Sequence, residues 1–361
     1  MKLKIKAELF KEMVSKSVKG ASCNKLIPLT GFIAISVKSK QLTLTTTDAT
    51  NYLYIRTSGV DSKDFYAVVE ADVFSKLISR MTCENIELEV AENTLKVNGN
   101  GNYTVEVPVD ENGDMVKFPD PLSQIDAQPI GEVENVAISS ILTTLKPSLA
   151  TTLEIPCYTG YYVGNRIVAT DTEIISTMDK QLLPDNYLIS AEMMDLLSIM
   201  TAEKISVDAK DNILIFSTPD CVVYGPVMEG IEDYSIDAIN GMLEQEFPNS
   251  CQVSKNSLLQ LLDRIILFVG PYDDKAIDLA FTKDGLLVQS KSTSGSEIIP
   301  YIGKGECNEF ACSIDIVYFR TQVKSQVSDT VEIHYGDSNV IKMVDGNITQ
   351  MISLMQSEED E

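Results

Sequence analysis

One short sequence segment occurs three times along this chain at a nearly constant interval. Its copies are Gln41–Ile55, Asn165–Thr177 and, more weakly, Asp284–Ile299. In the two clearer copies an apolar run leads into Thr-Asp, and a second, alternating run follows. Asp48, Asp171 and Ser292 stand at the same place in the three copies, 123 and 121 residues apart. A fixed period of this length predicts an array of one repeated structural unit.

The sequence that follows each copy repeats as well. It consists of a strand, one short helix and three further strands, within Tyr66–Val109, Tyr187–Met228 and Phe310–Leu354. Alternating apolar residues indicate the strands, and a spacing of three to four indicates the helices. Ala71 and Ala191 occupy matching places 120 residues apart. Three copies of domain length account for the 361 residues, so the sequence predicts three similar domains.

Two polar stretches that contain proline separate the copies. The first opens at Val116–Pro121, where two prolines interrupt the strand pattern, and the second is Asn240–Ser250. The predicted domains are therefore residues 1–122, 123–245 and 246–361. The third domain ends in the acidic tail QSEEDE, which we expect to be disordered.

Composition is typical of a soluble protein of the cytoplasm. The chain is 44% hydrophobic and 23% charged, and its longest apolar runs, such as IILFVG, are far shorter than a membrane span. The N-terminal segment has no apolar signal core. The seven cysteines are odd in number, widely spaced and without a CxxC pair, which favours reduced, core-filling thiols. We therefore expect a cytoplasmic location, no cofactor and no metal.

The formal net charge of −24 argues against nucleic-acid binding, because phosphate binding usually goes with net basicity. What matters physically, however, is where each sign of charge lies. Lysines and arginines recur on five of the six predicted helices, whereas acids crowd the loops and strands. The predicted helices are Ala7–Val18, Asp72–Met81, Ser139–Lys146, Ala191–Glu203 (the exception, which is acidic), Ser254–Phe268 and Asp315–Gln326. The cations are either ordinary solvated residues or one basic face of an assembly.

The order of several segments resembles a known family. The first third contains KLIPLTGFIAISV, QLTLTTTDATNYLYI, VVEADVFSKLISRM and FPD, in that order. This order resembles the first domain of the bacterial beta sliding clamp, the processivity ring of replicative DNA polymerases. RIVATDTEIIST resembles a segment of that family's second domain, and ITQMISLM resembles its closing strand. The resemblance covers essentially the whole chain.

This resemblance implies both a fold and a function. The implied fold is α+β, with three similar domains of two strand–helix–three-strand halves each. Two chains would close head to tail into a ring whose helices line the hole. The implied function is that of a processivity factor, which encircles duplex DNA without reading its sequence and tethers the polymerase. The clamp loader and other proteins with a clamp-binding motif are further implied partners, and the departures described below suit a phage or mobile-element clamp.

A ring of this kind gives the uneven charge a role. Cations along the hole would contact phosphates weakly and in a salt-dependent way, which permits sliding, while an acidic exterior repels DNA. The residues that the resemblance places toward DNA are Lys25, Lys76, Arg80, Lys146, Arg264, Arg320 and Lys324. From sequence alone, each of them is equally compatible with an ordinary solvated surface.

The resemblance also implies a pocket for partner peptides between the second and third domains. It maps onto Tyr158, Thr170, Thr172, Glu173, Ile174, Ile175, Ile236, Ile352 and Leu354. The family's Gly-His-Arg after Thr-Asp is replaced by Thr172, Glu173 and Ile174, and its loop proline by Glu232. A basic rim has thus become neutral or acidic, which favours partner peptides with basic flanks. Ile352 and Leu354 are also compatible with simple core residues of a strand.

The dimer seam is the last site that the resemblance implies. In the family an edge strand of the first domain pairs with the third domain of the partner. On this chain the seam would place Tyr103 and Val105 against Leu267 and Phe268. An apolar pair at the end of a helix is unusual for a fully solvated surface. We therefore expect a homodimer.

Two other classes of function compete with a clamp. An enzyme would need catalytic groups, but the one histidine, His334, lies in a strand pattern, where a packed or exposed histidine is commoner than a general base. Asp48 and Asp171 are interpreted as turn-capping acids, and no nucleotide-binding motif is present. We therefore expect no enzyme activity. The other class, a clamp-fold interaction scaffold that does not encircle DNA, stays open.

Overall fold

The computed structural model of the chain describes residues 2–22, 24–91, 93–270, 275–291, 295–302 and 309–355. Within these ranges the chain forms 24 strands and seven α-helices. They belong to two compact units, called unit 1 and unit 2 below. Unit 1 is Met1–Ile138 with Glu192–Val227, and unit 2 is Ser139–Ala191 with Met228–Glu361.

The helices are α1 (Ala7–Ser17), α2 (Ala71–Ser79), α3 (Asn135–Thr144), α4 (Ala191–Leu197), α5 (Ile236–Leu243), α6 (Lys255–Ile265) and α7 (Ile316–Ser325). The first twelve strands are β1 (Lys2–Lys6), β2 (Phe32–Lys38), β3 (Gln41–Thr47), β4 (Tyr52–Ser58), β5 (Phe65–Glu70), β6 (Asn85–Ala91), β7 (Thr94–Asn98), β8 (Asn102–Glu106), β9 (Gln128–Glu134), β10 (Gly160–Val163), β11 (Ile167–Thr170) and β12 (Ile174–Met178). The others are β13 (Tyr187–Ser190), β14 (Lys204–Lys210), β15 (Ile213–Ser217), β16 (Cys221–Pro226), β17 (Asn249–Ser254), β18 (Ala276–Phe281), β19 (Leu286–Ser290), β20 (Ser296–Ile299), β21 (Phe310–Asp315), β22 (Thr330–Tyr335), β23 (Val340–Asp345) and β24 (Ile348–Ser353). No helix among the described residues is long and apolar enough to cross a membrane.

These elements follow one order six times. Each copy is a strand, a helix and three further strands, from β1-α1-β2-β3-β4 at the start to β21-α7-β22-β23-β24 at the end. Among the described helices, α5 alone stands outside this order. The predicted α+β plan of repeated strand–helix–three-strand halves is therefore confirmed.

Unit 1 contains an eight-stranded and a four-stranded sheet, both antiparallel. The larger has the order β5-β2-β3-β4-β16-β15-β14-β9, and the smaller has the order β1-β6-β7-β8. In the larger sheet β4 and β16, which are the last strands of two different halves, pair with Leu53 opposite Val223. This junction joins strands from the first and second predicted domains into one sheet.

The core of unit 1 follows from strand and helix periodicity. In β2, Ile33, Ile35 and Val37 are fully buried, whereas the residues between them face the other side of the sheet. The α1 side chain Phe10 is fully buried and meets Phe74 of α2 edge to face, with ring centroids 6.1 Å apart. Burial of each such side chain contributes roughly 1.5–3 kcal/mol, so the two helices are held by their apolar stripes.

Unit 2 repeats this arrangement with different residues. Its eight-stranded sheet has the order β13-β10-β11-β12-β24-β23-β22-β17, and its four-stranded sheet has the order β20-β19-β18-β21. Again two last strands, β12 and β24, form the junction, with Ser176 opposite Gln350. Phe281 stacks on Tyr335 in the core, with ring centroids 3.7 Å apart. The N-terminus of α7 is capped by Asp315, whose carboxylate accepts backbone N–H bonds.

The repeated Thr-Asp segments are hairpin turns with the same hydrogen bonds. Asp48 Oδ1 accepts the backbone N–H groups of Thr50 and Asn51, at 2.8 and 2.6 Å. Asp171 Oδ1 accepts those of the two equivalent residues, at 3.0 and 2.9 Å. The residues after the acids, Ala49 and Thr172, both have a φ of 86°. The interpretation of these acids as turn caps is confirmed, while Ser292 of the third copy lies outside the described residues.

The bounds of some predicted elements were wrong. The predicted helix to Glu203 ends at Leu197, and after it the carbonyl oxygen of Met200 accepts a hydrogen bond from Asn135 Nδ2 at 2.5 Å. This contact turns the chain toward β14. The second linker was predicted to begin at Asn240, but α5 continues to Leu243. Its apolar residues recur at helical spacing, and one of them, Ile239, is buried.

Candidate partner-binding groove and basic helix surfaces

An aromatic cluster lies on one face of the eight-stranded sheet of unit 2. Tyr234 is at its centre, with its ring centroid 5.0 Å from that of Tyr158 and 5.3 Å from that of Tyr162. The Tyr234 hydroxyl donates to the Val168 carbonyl oxygen at 3.3 Å. Burial, and then the neighbouring Tyr158, raise the pKa of Tyr234 well above its usual value. Tyr234 is therefore a fixed, neutral element of this face.

An open groove of about 520 Å³ adjoins the aromatic cluster. Tyr162, Tyr234 and the partly buried Ile236 form its apolar side. Its mouth carries the exposed carboxylates of Glu232 and Asp237, and no cation lines it among the described residues. Burial, together with the Asp237 carboxylate, raises the pKa of Tyr162. An apolar floor with an acidic rim suits a peptide that carries an apolar anchor and basic flanks.

A second groove of about 570 Å³ surrounds the end of β24. Its apolar lining includes Met242 of α5, Phe310 of β21, Val340 of β23 and Leu354. Asp278 is the charged residue of this lining. The backbone N–H of Leu354 donates to the Asn339 carbonyl at 2.7 Å, so the residue is held as a continuation of β24. This groove is also free of cations within the described part of the chain.

The structure distributes the predicted pocket residues over both faces of the sheet. Tyr158, Ile175 and Ile236 belong to the cluster around Tyr234. Ile174 and Ile352 are each 1% exposed and lie on the opposite face, in the core beneath α6 and α7. Neither of these two side chains has surface that a peptide can contact in this conformation.

The other predicted pocket residues belong to the hairpin turn or to the second groove. Thr170 is buried, and its hydroxyl donates to the Ile174 carbonyl at 2.8 Å. Thr172 and Glu173 are exposed at the tip of the turn. Leu354 lines the second groove while packing against the core. The turn therefore supplies shape and the negative charges of Asp171 and Glu173 to this region.

Sequence reasoning missed several residues of this face: Tyr162, Tyr234, Met242, Val340 and Met351. Strand alternation is a signal that could have found one of them. Because Ile175 lies opposite Met351 across the β12–β24 junction, the residue on the same face as Ile175 is Met351, and Ile352 faces away. No local pattern in the sequence marks Tyr234, whose position depends on the short helix that follows it.

The predicted DNA-facing cations are on helices or on the turns beside them. Lys25, Lys76, Arg80, Lys146, Arg264 and Lys324 are exposed, and Arg320 is half-buried. Three of the seven pair with acids. Lys76 lies 2.7 Å from Asp72, Arg320 lies 2.6 Å from Asp263, and Arg264 makes a two-pronged contact with Glu297. The side-chain hydrogen bond with Arg264 lowers the pKa of Glu297.

Lys25, Arg80 and Lys324 differ from those three. No ion pair of theirs is present within the described residues. Their charges are therefore available to an external anion without the cost of breaking an internal pair. They are the sharpest places to test whether the helices contact phosphate.

The predicted seam residues lie on exposed parts of both units. Tyr103 and Val105 belong to β8, an edge strand of the small sheet of unit 1, and Tyr103 is 40% exposed. Leu267 and Phe268 lie in a 3₁₀ turn after α6 and are 79% and 49% exposed. In the same unit β20 is an edge strand, and its Ile298 is 48% exposed. Large exposed apolar side chains of this kind mark a candidate interaction surface.

The groups considered for catalysis lie on separate elements of the fold: Asp48 follows β3, Asp171 follows β11 and His334 is on β22. His334 Nε2 lies 2.8 Å from Glu332 Oε1 on the same strand. Asp171 lies close to Tyr318. Burial, followed by the Asp171 carboxylate, raises the pKa of Tyr318 to about 12. Five cysteines are described, and none of them forms a disulfide with another described residue. Cys23, Cys307 and the acidic tail lie outside the described residues. Within the described ranges, no group of three or more His, Cys, Asp or Glu side chains is arranged to hold a metal ion.

Comparison with known proteins supplies the broader context for these surfaces. Residues 1–118 match the family model of the N-terminal domain of the DNA polymerase III beta subunit. The beta subunit of Streptococcus pyogenes DNA polymerase has a similar structure, with a TM-score of 0.86 and 18% identity over 99% of this chain and 100% of that one. The chain has the fold of the bacterial beta sliding clamps.

Other clamp structures agree with this assignment. The DNA polymerase sliding clamp of Bacillus subtilis matches with a TM-score of 0.85 and 16% identity, covering 99% of each chain. The beta subunit of Thermotoga maritima matches with a TM-score of 0.83 and 15% identity, over 99% of each chain. No curated protein sequence matches the chain. The predicted α+β fold of the beta sliding clamps is confirmed.

Proposed function

We propose that this protein is a DNA sliding clamp, a processivity factor that encircles duplex DNA as a head-to-tail homodimer and tethers a replicative polymerase. The proposal is supported by a clamp fold that extends over 99% of the chain and by the family match of its first 118 residues. Residues 1–122, 123–245 and 246–361 are its proposed domains. We infer a role in tethering and no catalysis of its own.

The observation that carries the dimer is the pattern of strand junctions. Each of the six halves ends in a last strand: β4, β8, β12, β16, β20 and β24. Four of them pair as β4–β16 and β12–β24, and each pair completes an eight-stranded sheet. The two left over, β8 and β20, are edges of the two four-stranded sheets. Pairing β8 of one chain with β20 of another would complete a sheet of the same kind.

Such a contact joins two different surfaces, so it is heterologous and must close to avoid a filament. Two chains offer two β8 edges and two β20 edges, and a dimer uses all four. The exposed Tyr103 on β8 and the exposed Ile298 on β20 then become buried, as do Leu267 and Phe268 beside them. Closure also removes edge strands that otherwise invite aggregation.

The proposed contact with DNA is weak because few of the cations are free of neighbouring acids. Lys25, Arg80 and Lys324 supply unpaired positive charge, whereas the charges of Lys76, Arg264 and Arg320 are partly neutralised by neighbouring carboxylates. Lys146 is the remaining cation of the set. Phosphate contacts of this kind are independent of base sequence and weaken with salt. A protein held topologically needs no tighter grip.

Partner proteins are proposed to bind the two grooves of unit 2. The apolar surfaces around Tyr234 and Leu354 suit an extended or helical peptide with apolar anchors. The polymerase, the clamp loader and other proteins with a clamp-binding motif are the expected partners. Because the rim carries Glu173, Glu232 and Asp237, peptides with basic flanks are favoured over acidic ones.

One observation favours a second candidate, a clamp-fold scaffold that does not encircle DNA. Three of the seven cations expected to face DNA are already paired with acids.

A threading experiment without a clamp loader separates the two functions. Labelled protein is added to a duplex of about 3 kilobases tethered to beads at one end, and the free end is then capped with a bulky antibody. A ring stays bound through washing and leaves when the duplex is cut, whereas capping before protein addition prevents binding.

Variants of the seam and of the basic helix surfaces show which surface the threading depends on. Leu267→Ala with Phe268→Ala should give folded monomers in size-exclusion chromatography with light scattering, and no threading. Reversal of Lys25, Arg80 and Lys324 to Glu should leave the dimer intact and reduce threading at least threefold at low salt, with a smaller effect at high salt. Lys2→Glu with Lys4→Glu, on a strand, is the matched control. Binding that does not depend on the order of capping would support the scaffold.

A further inference from the structure

We propose that unit 1 carries a second partner site, a cavity that binds the carboxylate of an acidic peptide through Arg56. The cavity has a volume of about 290 Å³ and lies on the larger sheet of unit 1. It belongs neither to the two grooves of unit 2 nor to the cation-bearing helices.

The floor of the cavity is the face of the sheet that turns away from the core. In β4, Leu53 and Ile55 are buried in the core, and the alternate residues Tyr54 and Arg56 line the cavity. In β3, Thr43 lines it between core residues in the same way. Strand alternation therefore brings hydroxyl and guanidinium groups together on the face of the sheet opposite to the core.

A segment of the first predicted linker forms the opposite wall. Phe118, Asp120 and Leu122 all line the cavity. The segment is held by Tyr66, whose hydroxyl accepts the Phe118 backbone N–H at 2.7 Å and lies 3.4 Å from the Val116 carbonyl. The cavity is thus a built pocket with apolar and polar sides.

Arg56 lacks the partner that its surroundings would be expected to provide. Its Nε atom is buried and makes no hydrogen bond, and Arg56 forms no ion pair within the described residues. Asp220, whose backbone carbonyl accepts the Arg56 N–H, has its carboxylate 3.7 Å from Lys16 Nζ and 2.9 Å from the Thr218 hydroxyl. A buried guanidinium donor without an acceptor is costly, and a carboxylate is the group that satisfies it best.

The other charged and polar groups of the lining favour an anionic occupant over a cationic one. Lys38 stands exposed at the mouth and makes no ion pair in the described structure. Asp120 is the one acid in the lining. It faces the Tyr54 hydroxyl, which is buried and makes no hydrogen bond of ordinary geometry. The lining therefore carries one more positive than negative charge.

The internal repeat shows what is missing. The residue of unit 2 that corresponds to Arg56 is Asp179, and both donate a backbone N–H across the sheet junction at 2.8 Å, to Asp220 and Asn347 respectively. Asp179 has a countercharge, Arg166, at 3.5 Å. The residue that corresponds to Arg166 in unit 1 is Thr43, which is neutral. Unit 1 therefore has a charge of the opposite sign at the first of these positions and no countercharge at the second.

A peptide carboxylate is the occupant that this arrangement favours. It would take the place of the absent countercharge at Arg56, while an adjoining apolar side chain would lie against Phe118 and Leu122. Duplex phosphate fits less well, because the cation lies at the bottom of a cavity and not on an exposed surface. The site differs in sign from the acid-rimmed grooves of unit 2, so the two would select different partners.

The test uses two fluorescein-labelled peptides with the same Leu-Phe core, one flanked by glutamates and one by lysines. Fluorescence anisotropy with the full chain should show the glutamate peptide binding, weakened at least tenfold by Arg56→Gln. Thr43→Glu, which supplies an internal countercharge, should weaken it to the same extent. Arg56→Lys should recover part of the affinity. Arg166→Gln in unit 2 is the matched control and should change the affinity less than twofold.

Thermal unfolding of every variant separates lost binding from lost fold, and Arg56→Lys keeps the proposal testable if Arg56→Gln unfolds. Three results would overturn the proposal. They are no binding of the glutamate peptide at millimolar concentration, equal binding to wild type and folded Arg56→Gln, and displacement of the peptide by duplex DNA that itself binds more weakly to Arg56→Gln. The last result would assign the cavity to nucleic acid.

Discussion

The two eight-stranded sheets share one backbone plan but differ in the chemistry of their central junctions. In unit 1, β4 and β16 place Leu53 opposite Val223, and both side chains are fully buried. In unit 2, β12 and β24 place Ser176 opposite Gln350 at the corresponding site, and these are buried as well. The same register thus supports an apolar junction in one unit and a polar one in the other.

The difference extends to the turn that packs on each junction. In unit 1 the turn ends at Gly20, where a Cβ atom would lie 2.5 Å from Thr46 Oγ1 and 2.7 Å from Leu53 Cβ. In unit 2 the turn ends at Ser148, whose hydroxyl lies 2.6 Å from that of Ser176. In unit 1 the backbone of Gly20 therefore packs directly against the Leu53 side chain. In unit 2 the hydroxyl groups of two serines, Ser148 and Ser176, form a hydrogen bond.

The polar junction is closed by side chains from α7. Gln322 Nε2 donates to Ser148 Oγ at 2.6 Å, and its Oε1 accepts from Ser176 at 3.0 Å. Gln350 Nε2 donates to Ser325 at 2.7 Å. Because the side chains of Ser148, Ser176 and Gln322 each have partners, this part of the network avoids the cost of isolated polar atoms. The comparison teaches that a repeated fold fixes the register of a junction and leaves its chemistry open.

Gly20→Ala should have the largest effect, because it forces a Cβ atom into the apolar junction. We expect about 3 kcal/mol of destabilisation, at the upper end of ordinary overpacking. Urea unfolding followed by circular dichroism measures it. Gly31→Ala is the control, since nothing lies within 4 Å of its Cβ position. Equal midpoints for the two variants would mean that the junction adjusts freely.

Ser148→Ala should have the next largest effect, about 1–3 kcal/mol, because it leaves buried partners in Ser176 and Gln322 with unmet hydrogen bonds. The triple variant Ser148→Ala, Ser176→Ala and Gln322→Leu removes the polar groups together. It should cost less than the sum of the single changes, with a coupling free energy of about 0.5–3 kcal/mol. Additive unfolding free energies would contradict a cooperative network.

The smallest effect concerns the outer faces of the two sheets. Glu173→Gln, Glu232→Gln and Asp237→Asn together should reduce the preference of unit 2 for basic-flanked over acidic-flanked peptides by about 1–2 kcal/mol, since rim charges are screened by solvent. Anisotropy titration of the two peptides measures this preference. Glu87→Gln, on a strand of unit 1, is the control. If the triple variant and wild type prefer the basic peptide equally, the rim does not select partners.

The structure also guides which residues such experiments should leave alone. A family-like rim would be restored most directly by Glu173→His with Ile174→Arg. Ile174, however, is 1% exposed and lies in the core beneath the helices. An arginine there would bury an unpaired charge, so a loss of binding in that variant would report a damaged core and not a changed rim.

Much of the fold was accessible from sequence because its information is local and repeated. The Thr-Asp hairpins follow from turn chemistry that is contained within five residues, and the strand–helix–three-strand order follows from periodicity. The start of α3 at Asn135 and the end of α4 at Leu197 were not accessible. Both depend on the contact of Asn135 with a segment about 65 residues further along the chain.

The site was less accessible than the fold for two physical reasons. The two faces of a strand differ by one residue, so assignment by resemblance included the buried Ile352 and omitted its neighbour Met351. Charge pairing is also non-local: Arg264 meets Glu297, 33 residues away, and Arg56 is notable for an absence that only the repeat in three dimensions reveals. Sequence gives the number of charges, but the folded chain decides which of them remain unpaired.

The two unpaired last strands have a consequence for mass action. The β4–β16 and β12–β24 junctions form within one chain, so their occupancy does not depend on protein concentration. In the proposed dimer the β8–β20 junctions would be bimolecular, and dilution would open them first. Of the six similar junctions in such a ring, two would then depend on protein concentration. The amount of protein made would therefore decide what fraction of it forms closed rings.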